Sequence, residues 1–399
     1  MRVRRATEFD ELLLYQQRWD ELAGDCAFRT WTWLNTWWKH YGLDTNRNHH
    51  TPNSWQLYVL LVFDDTLDRG TCSENTTSCS SSSTVQHRNP QTLLGILPCY
   101  LDFWPSRGKL LRLLGDGEVC SEHLDLLCHK DSSDVVATAV ADYLVAHASD
   151  WDVLVASTMD STGSNFESLT TLLGKQHAWV RQSTGLTTWS IRLPDSWEAY
   201  LAMQSKSHRK QLRQLTSRVL ETDRTVWKVV QTLSEFDTAW EYFIDLHQRR
   251  RESLGEPGCF ASPQWANFHR DVAKQLLESG KLRLSTLSLD GRVIAAEYHF
   301  VGQDAVYVYQ GGLDPERADD EPGRLSMIRC IQQAIAEGRK EFDLLRGDEP
   351  YKPHWRAEPR TTMNVEIVSP RALARWRSYS WNGLRWAGRF VQKCASLLS

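Results

Sequence analysis

Three groups of residues carry the chemistry that this chain advertises. Glu297 is a carboxylate in an otherwise apolar run, Val293 to Phe300, and Asp343 is a lone acid in Phe342-Asp-Leu-Leu. Either can serve as a general base or simply face water. A polar cluster, Arg346, Asp348, Glu349, Tyr351, Lys352 and His354, follows the second acid directly. Charged groups just past a strand's C-terminal end stand where α/β sheets usually hold ligands. Between the two acids lies Glu321-Pro322-Gly323-Arg324-Leu325. A helix entered through Pro-Gly offers unpaired N–H groups and a positive dipole end to a phosphate.

The surrounding elements must position these groups. Alternating apolar residues predict strands at Leu282–Leu289, Val293–Val301 and Ala305–Leu313, and a shorter one at Glu341–Leu345. Leu325, Ile328, Ile331 and Ile335 recur at helical spacing up to Gly338. Alternation places Glu297 and His299 together on one face of their strand, toward a cleft or toward solvent. Upstream, helices are predicted at Leu233–Leu254 and Ser262–Ser279, and a strongly basic one at Asp195–Glu221, carrying Lys206, His208, Arg209, Lys210, Arg213 and Arg218. That basic face is either solvated or a receiver of anionic ligands.

The first half repeats this order. Helices are predicted at 7–24, 26–42 and 132–148, and strands at Trp55–Phe63, Thr92–Leu101, Leu110–Leu114 and Trp151–Ala156. The segment 64–91 is rich in Ser, Thr, Asn and Asp and reads as a disordered insertion at a hairpin tip. Asp116, His123 and Asp125 lie close in sequence, as a catalytic trio or as turn and strand-end residues. The 18 Trp fit a buried core, or stacking on a ligand. From Arg371 to Ser399 a basic amphipathic helix is predicted, suited to its own domain, a partner or an anionic membrane surface.

Composition bounds the rest. Two domains are the prior for 399 residues, and a net charge of −4 argues against a DNA binder. Nine Cys show no zinc spacing, so no metal is expected; Cys99, Cys120, Cys128, Cys259 and Cys330 read as small core groups. With neither an apolar leader nor a membrane-spanning run, a cytoplasmic setting is expected, peripheral to the inner membrane face if the tail docks there.

The phrases Leu289-Asp-Gly-Arg-Val-Ile-Ala-Ala-Glu-Tyr, Tyr309-Gln-Gly-Gly-Leu-Asp, Pro322-Gly and Phe342-Asp…Arg346-Gly-Asp-Glu-Pro-Tyr-Lys…Trp355 resemble the GNAT acyl-CoA N-acyltransferases. Within them the likeness is to the CelD-like, cellulose-biosynthesis subfamily, related to FemAB-type peptidyltransferases. The resemblance implies an α/β fold of tandem GNAT-like domains, each a mixed sheet flanked by helices, at 1–185 and 186–369, with the basic tail at 370–399. It implies acetyl-CoA or another acyl-CoA as co-substrate. Gln310, Gly311 and Gly312 would meet its thioester and pantetheine arm, and Gly323, Arg324 and Leu325 its pyrophosphate. Glu297 or Asp343 would act as base and Tyr351 as proton donor. Arg249, Arg346, Asp348 and Lys352 would bind an amine acceptor on a sugar, polysaccharide precursor or related small molecule. The alternatives are FemAB-like transfer from aminoacyl-tRNA and a non-catalytic scaffold of an exopolysaccharide apparatus.

Overall fold

A computed structural model describes residues 1–42, 55–64, 92–381 and 383. The first half contains β1 (Arg2–Ala6), α1 (Gln16–Ala23), α2 (Trp31–Trp37), β2 (Gln56–Phe63), β3 (Leu93–Trp104), β4 (Gly108–Leu113), β5 (Leu127–Cys128), α3 (Ser133–Ala146), β6 (Val153–Asp160), α4 (Asn165–Lys175) and β7 (Trp179–Arg192). The second contains α5 (Trp197–Met203), α6 (Lys206–Leu215), β8 (Thr225–Val229), α7 (Leu233–Ser253), α8 (Pro263–Glu278), β9 (Leu282–Leu289), β10 (Arg292–Val301), β11 (Ala305–Leu313), α9 (Pro322–Ala336), β12 (Glu341–Arg346), α10 (Tyr351–His354) and β13 (Glu358–Val368).

The strands form one mixed sheet in the order β1-β2-β3-β4-β6-β13-β7-β12-β11-β10-β9-β8, with β5 beside β3. The two halves are built alike. In each, four antiparallel strands lead to one parallel pair, β4 with β6 and β11 with β12. Each half then closes the other. The last strand of the first half, β7, pairs with β12, and the last strand of the second, β13, pairs with β6. β7 and β13 also pair with one another over most of their length. The expected boundary at 185/186 therefore falls inside β7, a strand that belongs to the second half's sheet edge.

Local sequence explains the frame of the second half. Ser262 caps α8 through the Trp265 amide, with Pro263 at its first position, where a missing N–H costs nothing. α9 begins at Pro322, after Glu321 turns the chain in the left-handed region at φ 53°. Two apolar clusters cover the two faces of this sheet. Ala296, Tyr298 and Phe300 of β10 face α7, α8 and the first half, while Ile294 and Ala295 face α5, α6 and α9.

An aromatic knot joins the halves. Trp33 of α2 is fully buried; its ring contacts Phe28, Phe268, Phe300 and Tyr309 edge-on, at centroid distances of 5.0–6.0 Å. Its indole N–H donates to Ser121 Oγ at 2.8 Å. The Trp-rich segment is thus core, though Trp265 and Trp355 also line the cavity described below. At the other end of the chain, residues 372–381 are helical and lie on the first half. Arg377 pairs with Asp152 at 2.9 Å, and Arg375 lies over Trp179. Of the insertion expected at 64–91, residues 65–91 lie outside the described residues, as does the tail from 384 onward. Among those residues no helix is long and apolar enough to cross a membrane.

Replacing Trp33 by Ala removes the centre of the knot. The expected cost is about 3–5 kcal/mol, read as a lowered urea midpoint. Because the ring touches both halves, they should lose structure in one transition.

Candidate functional site

The parallel pairing of β11 with β12 stops early. Ala305, Val306 and Tyr307 pair with Glu341, Phe342 and Asp343, and no register joins the strands beyond them. Two irregularities drive the strands apart. The β10–β11 register shifts between Tyr298 and His299, leaving Tyr309 as the extra residue of a bulge. On the other side β12 breaks register with β7 between Asp343 and Arg346, where Leu345 sits at φ 55°.

Lys352 holds that second break in place. It is 1% exposed, and its ammonium donates to the carbonyls of Leu345, Arg346 and Gly347 at 2.8–3.2 Å, with Glu349 at 3.0 Å. All three of its donors serve the chain itself. On the far side, Tyr309 donates its hydroxyl to Val119 O at 2.7 Å, tying the bulge to the first half.

The parted strands open into a cavity of about 1090 Å³. One wall is the notch: Val308, Tyr309, Gln310 and Gly311 from β11, Leu344, Leu345 and Arg346 from β12. A second is the entrance of α9, with Gly323, Arg324 and Met327, beside Ser205, His208 and Gln211 at the start of α6. The first half supplies a third through Glu118, Cys120 and Glu122. Glu122 is 1% exposed and bonds Arg346 through its Oε1. Arg250 and Arg251 in the last turn of α7 and Cys259 in the turn beyond it complete the rim.

Inside, Glu297 accepts from Ser326 Oγ at 2.5 Å and lies 3.1 Å from His299 Nε2. The alternation expected for β10 is what brings these two side chains together. Gly311 leaves room for the carboxylate: a Cβ there would stand 2.9 Å from Glu297 Oε2. Tyr351 enters from the first residue of α10, and its hydroxyl has no partner among the described residues. Burial, together with Glu349 and Glu297, pushes its phenol above the ordinary range. It therefore carries its proton at neutral pH. Burial, with Arg324 and His354 close by, lowers His208. Arg324 is steered by Glu321 at 2.6 Å and Gln211 at 3.3 Å.

Of the residues expected to act, Glu297, Gln310, Gly311, Gly323, Arg324, Arg346, Tyr351 and Lys352 line this one cavity. The other five lie elsewhere. Gly312 faces α7, where a Cβ would meet His247 N at 2.7 Å, so its glycine serves packing. Leu325 is core. Arg249 is bound to Asp314 and Glu316, and Asp348 accepts from Trp189 Nε1. Asp343 lines a separate cavity of about 410 Å³. Sequence reasoning missed Glu118, Cys120, Glu122 and Cys259, which stand far from the notch in the chain.

The Asp116, His123 and Asp125 trio does not assemble. Asp116 binds Tyr100 and Arg112, and Asp125 caps the start of α4 through the Asn165 and Phe166 amides. His123 instead bridges the halves, 2.9 Å from Asp160 on β6 and 3.1 Å from Asp343 on β12. Burial alone disfavours its cation, but the bonds to Asp160 and Asp343 outweigh it and push the imidazole well above its usual value.

Residues 206–353 match the family model of the acetyltransferase (GNAT) domain. In fold, the chain is similar to the crystal structure of FemX, at 10% identity and a TM-score of 0.62, covering 94% of this chain and 99% of that one. It is also similar to a conserved protein of unknown function from Bacteroides thetaiotaomicron, at 8% identity and a TM-score of 0.50, covering 92% and 100% of the two chains. No curated protein matches it in sequence. The mixed-sheet fold is thus similar to that of FemX, with the GNAT match in the half that holds the notch.

Replacing His123 by Gln removes the cation between Asp160 and Asp343. Because the folded-state pKa is raised, the wild-type contribution is full below about pH 6.5, the unfolded value, and fades as pH rises through the folded value. Denaturant midpoints should therefore differ most between wild type and variant at pH 5–6 and converge at alkaline pH.

Proposed function

We propose that this chain is a GNAT-type N-acyltransferase that moves an acetyl or other acyl group from acyl-CoA to an amine. The single observation that carries the reading is the notch, three parallel pairs followed by divergence, opening directly onto the α9 entrance. A donor with a slender amide-bearing arm and a phosphate head needs both features: strand amides along the arm and a helix N-terminus at the head. No metal is required.

In this reading the thioester carbonyl lies against β11 near Gln310, and polarisation by backbone N–H groups replaces a Lewis acid. The pyrophosphate meets Gly323 and Arg324. Glu297, held by Ser326 and His299, accepts the proton of the acceptor ammonium, directly or through one water. The freed amine attacks the carbonyl and the thiolate leaves. Tyr351, kept neutral by its surroundings, is the proton source for that thiolate. Arg346 and the first-half wall at Glu118 and Glu122 shape the acceptor end. The amine of a sugar or polysaccharide precursor, and the CelD-like assignment, belong to this proposal and rest on resemblance.

A second reading, transfer from aminoacyl-tRNA, is favoured by α6, which lines the cavity through Ser207, His208 and Gln211 and carries Lys206, Arg209 and Lys210 in the same turns. It predicts RNA binding that weakens steeply with salt.

Titration calorimetry with acetyl-CoA tests the first reading. Saturable binding is expected. Gly323→Trp, whose new side chain must displace Leu313 at the α9 entrance, should abolish that binding with the thermal midpoint little changed. Tyr351→Phe should keep the donor affinity while lowering kcat about 10- to 100-fold.

A further inference from the structure

Cys259 does not behave as a core cysteine. It sits in the short turn Cys259–Ala261 between α7 and α8, half-buried, in the rim of the large cavity. Its Sγ lies 3.5 Å from His247 Nε2. His247 is 2% exposed on α7, its ring edge-on to Phe243 and Phe260. These contacts fix the imidazole plane.

The hydrogen-bond pattern also fixes the tautomer. Gln248 donates its Nε2 to Pro257 O at 2.9 Å, so its Oε1 is the end that faces His247 Nδ1, at 3.2 Å. An amide oxygen only accepts, so Nδ1 carries the proton and Nε2 presents its lone pair to the thiol. Gly258, at φ 71°, makes this possible: a Cβ there would stand 2.2 Å from Gln248 Oε1. The result is a thiol, an imidazole base and an orienting acceptor in series. Burial holds the imidazole below its ordinary value and so neutral, and pushes the thiol up to about 12. At rest the pair is uncharged, and the nucleophile forms only as the proton moves to His247.

The series stands beside the notch. Gln310, on the parted edge of β11, also meets the His247 side chain, and Gly312 packs directly on the His247 backbone. Cys259, Gln310 and Gly311 line one cavity.

We propose that Cys259 is an acyl-accepting nucleophile, activated by His247 and oriented through Gln248, and that the chain passes through an acyl-cysteine. The step rests on the thioester donor of the preceding section and divides the single attack described there in two, with Cys259 taking the acyl group before the amine does and His247 in the place given there to Tyr351. Sγ bonds to the thioester carbonyl carbon as its proton moves to His247 Nε2. The carbon–sulfur bond to the donor breaks, and the departing thiolate takes that proton as a free thiol. One thioester replaces another, and no redox partner is needed. The acceptor amine then takes the acyl group from Cys259, which gives ping-pong kinetics. Cys120, which lines the same cavity and has no hydrogen bond to an imidazole among the described residues, is the internal control.

Two measurements on the full chain decide the matter. Protein incubated with acetyl-CoA without acceptor, then acid-quenched, should gain one acetyl group on the Cys259 peptide. That adduct should be hydroxylamine-labile, absent in Cys259→Ala and present in Cys120→Ala. Independently of any donor, iodoacetamide should alkylate Cys259 roughly tenfold more slowly in His247→Gln than in wild type. Near-UV circular dichroism checks that the variants fold alike. Donor binding without an adduct on Cys259 overturns the covalent step. An alkylation rate indifferent to His247 overturns the pair. If acetyl-CoA fails to bind at all, the donor assignment fails, and the alkylation arm still decides whether Cys259 is activated.

Discussion

Everything in this molecule turns on where two parallel strands stop pairing. A parallel ladder satisfies its neighbours evenly, so ending it after three residues needs an outside cause. Here there are two. A bulge at Tyr309 bends β11 away and is fixed by a hydrogen bond to the first half. The kink of β12 at Leu345 is held by the Lys352 ammonium, which spends its donors on three successive carbonyls. Burying an ammonium is tolerable only with this many partners. The cavity is what remains between the two bends.

The exchange of terminal strands explains why the halves act as one body. Neither half's sheet is complete without a strand from the other, and the aromatic knot at Trp33 fills the space between them. The first half has the same three-pair parallel ladder, Leu110–Arg112 with Val153–Val155, and Thr158 on β6 takes the same left-handed turn as Leu345. There, however, the segment from Leu114 to Leu126 is largely buried, and His123 bonds the end of β6. It sends Glu118, Cys120 and Glu122 into the second half's cavity instead. Two similar folds thus divide the work, one opening a notch and the other walling it.

Much of this was legible from residue patterns. Strands β9 to β12 and helices α7 to α9 lie within a residue or two of their expected bounds, except at the α9 entrance, because alternation and helical spacing are strong there. β1, β5, β7, β8 and β13 were not seen, nor were α4 and α10. β1 is Arg-rich, and β7 and β13 carry many polar residues with mostly exposed or half-buried positions, so alternation is weak. The basic stretch read as a single helix breaks into α5 and α6 at Gln204. Glu297 with His299 could be found because both sit on one strand face. Lys352 was expected at substrate, yet nothing local reveals that its ammonium stitches the β12 kink. Cys259 reads as a core residue until the fold brings it to the cavity rim, against a histidine twelve positions earlier.

The most direct test is a crystal structure of the full chain with coenzyme A bound. The account predicts the pantetheine amides hydrogen-bonded along Val308–Gln310 between β11 and β12, with the phosphates at Gly323 and Arg324. Coenzyme A lodged elsewhere, with the notch left empty, would contradict it.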